Sequence, residues 1–403
     1  AFDGGQYHEH DGPHRGLGID RMIGHITYLS EQSMRSKFGR QLQRKDRYSY
    51  DFNSEFSVES YLDYQGQTFI ERFDANSYLY ITKAMDYFDP ALEYGTLGQA
   101  FSTSACRFFI VSFSSDWLFT PEQSEEMVRA LSAEGKEVTY CNIESPYGHD
   151  AFLLEDRVLG GVISGFVEST LHRIQTGVCF LPQQKRGVEE TFKTSDRGKR
   201  LRLDYELIDS LVEPNSRVID LGCGDGQLLV RLIGDKGVIA QGVELDQDLV
   251  IRCVQRGLPV LHRDIERGLE EYPNDSFDFA ILSQTMQTLR DPEKVIRELV
   301  RVARKVIVSF PNFAHWPCRL QLLFQGCAPQ TRQLPFRWHN SPNIHFLSLK
   351  DFDRFCRETD IQILARIPLG KYVAGPVRIW PNLFAAQAVY VISRYYSHSP
   401  SKS

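Results

Sequence analysis

The stretch Arg217-Val-Ile-Asp-Leu-Gly-Cys-Gly-Asp-Gly-Gln-Leu-Leu229 decides the fold of the second half of the chain. An apolar, β-branched run ends in an acid, a turn with three glycines in five residues follows, and an apolar run at helical spacing comes next. This order predicts a strand, a tight turn and a helix. Glycines let the backbone approach a ligand, and the helix that follows directs free N–H groups toward it. The turn is therefore a candidate ligand site, although a structural turn with left-handed backbone would use the same glycines.

Acidic residues downstream indicate which kind of ligand the glycine turn would bind. The stretch Gly242-Val-Glu-Leu-Asp246 predicts a second short strand that ends in acids. Its Glu244 lies about 20 residues past the glycines, where a doubly wound sheet places a carboxylate on a ribose diol. The glycine spacing is G-x-G-x-G and not G-x-G-x-x-G, which argues against a dinucleotide.

These stretches resemble the class I S-adenosylmethionine (SAM) methyltransferases, whose acidic, glycine-rich loop holds the amino-acid end of SAM. The residues that match that loop are Asp220, Gly222, Gly224 and Gly226. By the same resemblance Glu244 would bind the ribose, Asp264 would meet the adenine, and Phe277–Ser283 would form the fourth strand. The resemblance implies SAM as cofactor and a doubly wound, Rossmann-like α/β fold.

Composition limits the class of protein. The chain has 403 residues, of which 42% are hydrophobic and 24% are charged, and its net charge is −6. These values are typical of soluble globular proteins, and the length allows two or three domains. A negative net charge gives no indication of binding to nucleic acid or to an anionic membrane. The sequence contains no membrane-spanning run or signal peptide, and its eight cysteines include no C-x-x-C pair. We therefore expect a cytoplasmic protein with reduced thiols and no metal site.

The beginning of the chain contains a helical pattern with two polar side chains on one face. Apolar residues recur at helical spacing from Ile19 to Leu29, and Arg21 and Tyr28, seven residues apart, would share a face. Taken alone, the pattern favours a surface helix with an extended arginine. The aromatic-rich region from Phe56 to Asp89 predicts further helices around a pocket or an interface.

An acid and a histidine follow two predicted strands in turn. The strand Cys106–Phe113 leads to Asp116, and after a helix the strand Glu137–Ile143 leads to His149. In α/β-hydrolases the catalytic residues come in the order serine, acid, histidine, and this pair has the order of the last two. Asp116 would orient the imidazole, and His149 would be the general base. The alternative is a helix-capping aspartate and a solvated histidine.

Residues 1–175 resemble the homoserine O-acyltransferases of methionine biosynthesis, of which they would form the C-terminal half. The likeness is carried by Arg21-Met-Ile-Gly-His-Ile-Thr-Tyr28, Phe73-Asp-Ala-Asn-Ser-Tyr-Leu-Tyr80 and Ser145-Pro-Tyr-Gly-His-Asp-Ala-Phe152. It implies that Asp116 and His149 are the catalytic acid and base and that Asp150 holds the homoserine amine. It also implies that Arg21 and Tyr28 lie at the substrate carboxylate and the active-site tunnel, and that an acyl-CoA is the co-substrate.

One element of that family is missing from the sequence. No G-x-S-x-G or similar nucleophile elbow occurs, so the acyl-accepting serine would lie upstream of Ala1. We therefore expect the chain to be a fragment of a longer protein, inactive for acyl transfer by itself. Residues 1–175 alone would expose a broken sheet edge, and we expect them to be poorly soluble. The choice between acetyl and succinyl donors stays open.

The second half begins after a change in composition. Residues 176–200 are polar and charged, which is typical of a linker, and residues 201–403 resemble the MetW family, whose members have a SAM-methyltransferase fold. The likeness is carried by Ser283-Gln-Thr-Met-Gln-Thr-Leu289, Ile307–Trp316 and Pro342-Asn-Ile-His-Phe346. Three residues after the fifth strand would line a substrate pocket or pack their own loop: Asn312, His315 and Trp316. The run Arg319–Phe324 predicts a lid helix or a partner surface, and residues 395–403 a disordered tail.

The sequence thus predicts a partial α/β-hydrolase domain followed by a doubly wound SAM-methyltransferase domain. The intact protein would transfer an acyl group to homoserine as a homodimer formed through its acyltransferase part. For the second domain, the hypothesis slightly favoured is a SAM-binding module that docks on the acyltransferase and supports or regulates it. The alternative is a SAM-dependent methyltransferase whose acceptor is unknown.

Overall fold

The computed structural model describes residues 3–7, 12–43, 46–50, 52–177, 203–267, 269–331, 333–370 and 376–395. The chain divides into two compact units. Unit 1 comprises residues 1–137 and 142–161, and unit 2 comprises residues 138–141 and 162–403. Residues 178–200 of the predicted linker and residues 396–403 of the predicted tail lie outside the described residues. The predicted domain boundaries stay a prediction.

Unit 1 begins with helices. Their bounds are α1 (His14–Tyr28), α2 (Glu31–Lys37), α3 (Ser57–Ile70), α4 (Ala75–Tyr87), α5 (Pro90–Tyr94) and α6 (Leu97–Phe101). Side-chain caps mark several of their starts: Ser30 accepts from Ser33 N at the start of α2, and Asp74 accepts from Ser77 N at the start of α4. The helices predicted around Arg21 and between Phe56 and Asp89 are therefore confirmed.

The two strands that carry the acid and the histidine follow. The bounds are β1 (Phe108–Phe113), α7 (Pro121–Ala133), β2 (Val138–Ile143), α8 (Ala151–Leu154) and α9 (Asp156–Thr176). Phe108 N donates to Glu137 O at 2.9 Å, and Ser114 N donates to Ile143 O at 3.0 Å. The two segments therefore run in the same direction, and their carboxyl ends lie together at one edge. That edge holds Asp116 and His149.

Unit 2 alternates strands and helices, as its sequence pattern predicts. Its elements after α9 are α10 (Leu203–Leu211), β3 (Arg217–Leu221), α11 (Gln227–Lys236), β4 (Ile239–Glu244), α12 (Gln247–Gln255), β5 (Val260–His262), β6 (Phe277–Ser283), α13 (Pro292–Val302), β7 (Ala303–Pro311), α14 (Trp316–Leu320), α15 (Leu349–Glu358), β8 (Ile361–Leu369), α16 (Pro381–Phe384) and β9 (Gln387–Arg394). Short 3₁₀ turns follow β5 and β6, and a π-helical turn spans Gln321–Gln325.

The sheet of unit 2 has the strand order β5-β4-β3-β6-β7-β9-β8. The first five strands are parallel, and β9 pairs antiparallel with both β7 and β8. The chain order reverses between β3 and β6, which makes the carboxyl end of β3 a topological switch point. The glycine turn starts there, so the doubly wound fold predicted from it is confirmed.

Apolar residues on both faces of the central strands form the core of this unit. Ile219, Ile281 and Ile307, on neighbouring strands, are completely buried. Helix α13 covers one face with Ile296 and Leu299, which are also completely buried. Each such side chain stabilises the fold by about 1.5–3 kcal/mol relative to exposure.

None of the helices in the described ranges is both long and apolar enough to cross a bilayer.

Candidate functional site

Asp116 and His149 lie in direct contact in unit 1. His149 Nδ1 lies 3.0 Å from Asp116 Oδ2. The other carboxylate oxygen of Asp116 accepts hydrogen bonds from the backbone N–H groups of Leu118 and Phe119, at 3.0 and 3.1 Å. Asp116 is nearly buried, with 7% of its surface exposed. The backbone therefore fixes the carboxylate, and the carboxylate in turn fixes the imidazole.

This contact determines which ring nitrogen of neutral His149 is basic. A carboxylate only accepts hydrogen bonds, so Nδ1 carries the proton and Nε2 has the free lone pair. The rings of Phe119, Tyr28 and Phe152 surround the imidazole, with centroid distances of 5.2, 5.6 and 5.6 Å. The arrangement is that of a general base with its orienting acid.

The loop before His149 is fastened to the end of α1. Gly148 N donates to Ser115 Oγ at 2.9 Å, and Ser30 Oγ donates to Pro146 O. Gly148 has φ +72°, and a Cβ at this position would lie 2.5 Å from Ser30 N and 2.7 Å from Tyr28 O. Only glycine allows this approach, which brings Tyr28 against the ring of His149.

Replacing Gly148 by alanine is expected to destabilise unit 1 by at least about 2 kcal/mol, because left-handed backbone and a backbone clash add. Hydrogen–deuterium exchange of peptides that span the His149 loop and the end of α1 would report the opening free energy. The matched control is Gly160→Ala on α9, where a Cβ meets nothing within 4 Å. Equal exchange rates in Gly148→Ala and the unmodified chain would contradict this packing.

Arg21 and Tyr28 share one face of α1, as predicted, and line a common pocket. The guanidinium of Arg21 lies over the rings of Tyr28 and Phe69, with distances of 5.7 and 5.1 Å to the ring centroids. Among the described residues no carboxylate lies within ion-pairing distance of it. The pocket has a volume of about 190 Å³. An unpaired cation beside a pocket is available for an anionic group of a ligand.

The same pocket contains an acid–phenol pair that sequence reasoning missed. Asp20 and Tyr78 line it together with Arg21. The hydrogen bond to Asp20 and partial burial raise the pKa of Tyr78 to about 12. The phenol therefore stays neutral at physiological pH and keeps a proton to donate. The only sequence signal was the position of Asp20 beside Arg21.

Asp150 follows His149 but does not line that pocket. Its side chain makes no hydrogen bond or ion pair with another described residue. Its charge acts on His25 and Tyr61, which are joined by a 3.1 Å contact between His25 Nδ1 and the phenol oxygen. Burial and then the charge of Arg21 lower the pKa of His25, and burial raises that of Tyr61. Sequence reasoning missed both residues, although His25 lies four residues after Arg21 on the same helix.

In unit 2 the three glycines of the turn have different surroundings. All three have positive φ, which disfavours other residues. A Cβ on Gly222 would lie 2.6 Å from Thr285 Oγ1, and one on Gly226 would lie 2.2 Å from Leu258 Cδ1. A Cβ on Gly224 would meet nothing within 4 Å. The outer glycines are thus required by packing, whereas the middle one borders open space that a ligand can enter.

The predicted acidic residues lie at or just after the carboxyl ends of three neighbouring parallel strands, β3, β4 and β5. Asp220 is buried within β3. Glu244, at the end of β4, accepts from Gly224 N at 2.8 Å and from Leu245 N and Asp246 N at 2.8 and 3.0 Å. Asp264, after β5, accepts from Glu266 N at 2.9 Å. Glu244 therefore fastens the glycine turn itself, a contact that spacing alone did not indicate.

Two thiols and a basic residue also support the turn. Cys253 Sγ donates to Gly224 O at 3.3 Å, and Arg256 bonds the backbone and side chain of Asp225. The hydrogen bond to Cys253 and burial hold the pKa of the Cys223 thiol well above its usual range. Cys223 is therefore a neutral packing group and not a nucleophile.

A buried polar cluster lies at the carboxyl ends of β6 and β7. Asp204 Oδ2 accepts from Ser283 Oγ at 2.9 Å and from Ser309 Oγ at 3.1 Å. Gln284 donates to Ser309 Oγ at 3.2 Å and has φ +57°, a strained value for a residue other than glycine. Sequence reasoning missed this cluster, because Asp204 is distant in sequence from both strands.

Asn312, in the loop after β7, is held by hydrogen bonds to the α16 region and to its own loop. Asn312 is 1% exposed, and its amide donates to the carbonyl oxygens of Asn382 and Ala385 at 3.1 and 2.8 Å. Its Oδ1 accepts from Ala314 N at 3.1 Å. His315 is also buried, and Trp316 is half exposed. For Asn312 the structure therefore favours a packing role, which joins the loop after β7 to α16, over the predicted pocket role.

The fold and the two sites define a class. An imidazole–carboxylate pair after two neighbouring strands has the arrangement of the acid–base part of an α/β-hydrolase. A glycine turn at the switch point of a doubly wound sheet, with acids after the next strands, has the arrangement found in the SAM-methyltransferase fold.

Known proteins are similar in sequence to both halves of the chain. Residues 202–392 match the family model described as methionine biosynthesis protein MetW. The bifunctional methionine biosynthesis protein MetXA/MetW of Rhodopirellula baltica is 37% identical over 362 residues, covering 87% of this chain and 55% of that protein. The chain therefore joins a segment homologous to homoserine O-acyltransferases to a MetW-like segment, as the resemblances implied.

Relatives of the first segment carry two names. A homoserine O-acetyltransferase of Methanohalobium evestigatum is 54% identical over 169 residues, covering 42% of this chain and 34% of that protein. A homoserine O-succinyltransferase of Acidithiobacillus ferrooxidans is 54% identical over 155 residues, covering 38% and 40%. The chain spans about half, or less, of the length of these relatives.

Among solved structures, a SAM-dependent methyltransferase from Thermotoga maritima is 18% identical to this chain, with a TM-score of 0.36. The match covers 48% of this chain and 88% of that protein. The strand order of the sheet defines the doubly wound fold.

Proposed function

We propose that the whole protein transfers an acyl group from an acyl-CoA to the hydroxyl of homoserine, a reaction of methionine biosynthesis. The observation that carries this proposal is the 3.0 Å contact of Asp116 with His149. Tyr28 packs against the His149 ring and against Arg21, which has no ionic partner among the described residues. The names of the relatives support the same reaction, since they include both homoserine O-acetyltransferase and homoserine O-succinyltransferase. The proposal leaves the acyl donor open between these two.

The proposed chemistry proceeds through an acyl-serine whose serine lies outside this sequence. His149 Nε2 takes the proton of the serine hydroxyl as it attacks the thioester, and returns it to the departing CoA thiolate. His149 then takes the proton of the homoserine hydroxyl, which attacks the acyl-serine, and gives it back to the serine. The products are free CoA and O-acylhomoserine. Asp116 stabilises the imidazolium in both steps.

The remaining predicted residues recognise the amino-acid substrate. The Arg21 guanidinium pairs with the homoserine carboxylate, and Tyr28 lies between Arg21 and the His149 ring. Asp150, whose carboxylate has no other ionic partner among the described residues, accepts the substrate ammonium. Homoserine carries both charges on its α-carbon, so binding of the carboxylate and the ammonium fixes that end of the substrate and directs the hydroxyl at its other end toward His149.

For unit 2 we propose SAM binding at the glycine turn. The residues fit this cofactor: the backbone at Gly224 is open, and Glu244 accepts three hydrogen bonds, which leaves room for a ribose hydroxyl on its carboxylate. Gly222, Gly226 and Asp220 shape the turn, and Asp264 lies after the next strand for the adenine. SAM, when bound, supplies a methyl group on a sulfonium.

We propose further that this unit supports or regulates the acyltransferase part by docking on it. The alternative, methyl transfer to an unknown acceptor, is favoured by the strained Gln284 beside the Asp204 cluster.

Exposed apolar side chains on α4, such as Leu79, Ile81 and Met85, support a homodimer through the acyltransferase part. The proposed location is the cytoplasm, and the seven cysteines in the described ranges are all free thiols.

The proposal is tested by assaying the whole protein with L-homoserine and either acetyl-CoA or succinyl-CoA, with and without SAM. We expect release of CoA and formation of O-acylhomoserine with one donor, and a rate that changes with SAM. No product with either donor contradicts the acyltransferase function. A rate that SAM leaves unchanged, while SAM binds, contradicts the regulatory role and leaves methyl transfer as the function of unit 2.

A further inference from the structure

A cleft between α13 and α15 of unit 2 belongs to neither site described above. Its volume is about 180 Å³. The side chains that line it include Met286, His345, Leu347, Asp351, Phe352 and Phe355. The lining is mostly apolar, and His345 and Asp351 are its polar members.

Two of the sequence stretches that carry the MetW likeness meet at this cleft. Ile344 N and His345 N both donate to Gln287 O, at 2.8 and 3.0 Å. This pair of bonds joins the stretch Pro342–Phe346 to the 3₁₀ turn Met286–Thr288 after β6. Neither stretch contains a residue that is predicted to bind SAM. The two stretches instead form one wall of the cleft.

The wall contains polar atoms without partners. His345 Nε2 and Gln287 Oε1 are buried, and neither has a hydrogen-bond partner among the described residues. Gln287 is 6% exposed, and its amide group donates to Gln284 O at 2.7 Å. Burying such an atom without a partner costs free energy. A ligand that bonds to His345 would remove that cost for the histidine, which itself lines the cleft.

The lining also defines the charge and size of a ligand. Asp351 is the one charged residue of the lining, and its Oδ2 is engaged by Ser348 N and Ser348 Oγ in the cap of α15. This carboxylate disfavours anions, and Phe352 and Phe355 favour an apolar body. A cavity of about 150 Å³ with apolar walls holds benzene in another protein. The cleft here fits one ring with a small substituent.

We propose that this cleft is a binding site for a small neutral molecule with an apolar ring or branched chain and one hydroxyl group, which hydrogen-bonds to His345 Nε2. The inference does not depend on acyl transfer or on SAM binding, since it uses none of those residues. Phenol and toluene are suitable probes, because they have the same size and differ only in the hydroxyl.

Ligand-observed NMR titration of the full chain is the test. We expect saturable binding of phenol with a Kd on the order of 1 mM, and binding of toluene about tenfold weaker. In His345→Phe this preference for phenol should disappear, and in His345→Gln it should persist. Leu347→Trp fills the cleft and should abolish binding of both probes, and Phe355→Trp serves the same purpose if Leu347→Trp does not fold.

Three results would overturn the proposal. The first is no saturable binding of phenol by the unmodified chain. The second is equal affinity for phenol and toluene, or a preference that His345→Phe leaves unchanged. The third is tighter binding of benzylamine than of phenol, which would make Asp351 the recognition group and the ligand a cation.

Discussion

Replacing His149 by alanine in the whole protein is expected to lower kcat for acyl transfer by about 10⁴-fold or more. The substitution removes the base that lies 3.0 Å from Asp116, and among the described residues no other base contacts this carboxylate. Asp116→Asn should cost about as much, because an amide in place of the carboxylate allows the wrong imidazole tautomer. Both effects are measured as the steady-state rate of CoA release with saturating homoserine and acyl-CoA.

The double variant distinguishes a catalytic pair from two separate effects. Residues that act as one unit are strongly non-additive, so His149→Ala with Asp116→Asn should be no slower than His149→Ala alone. Asp86→Asn, on the exposed surface of α4, removes a carboxylate of the same unit and should leave kcat unchanged. Multiplicative losses in the double variant would show that the contact is structural and that the base lies elsewhere.

Gly224→Val is expected to weaken SAM binding at least about 100-fold while unit 2 keeps its fold. The valine side chain would occupy the open space beside the turn, because a Cβ added at position 224 would meet nothing within 4 Å. The left-handed backbone there, with φ +61°, costs about 1–2 kcal/mol for a residue other than glycine. Isothermal titration of the chain with SAM measures the affinity, and circular dichroism reports the fold.

The matched control for this prediction is Gly326→Val. Gly326 has φ +62°, and nothing lies within 4 Å of its Cβ position, so the backbone cost is the same at a place away from the turn. SAM affinity should be unchanged in this variant. Gly226→Ala should instead unfold the turn, since its Cβ would lie 2.2 Å from Leu258 Cδ1. SAM binding that survives Gly224→Val would mean that the turn is only structural.

Much of the fold could be predicted because the local sequence patterns agree with the strands and helices that form. The glycine turn and the apolar runs around it predicted β3, α11 and β4, and the doubly wound order followed from them. The strands before Asp116 and His149, and the helix that carries Arg21 and Tyr28, were predicted in the same way. These features depend on hydrogen-bond geometry and apolar periodicity within one segment, which sequence records directly. The antiparallel β8 and β9 pairing was not predicted, since strand partners are set by long-range contacts.

The sequence by itself determined the residue types, their order and the strand ends at which they stand. Tertiary structure alone decided which of these residues touch. The contact of Asp116 with His149 joins residues 33 apart, and Ser30 bonds to Pro146 O, 116 residues away. Likewise, Glu244 holds Gly224, and Asn312 bonds to Ala385 O at the end of α16, 73 residues away. The physical reason is that a side chain's hydrogen-bond partner depends on packing between distant elements, and one-dimensional spacing contains no measure of that distance.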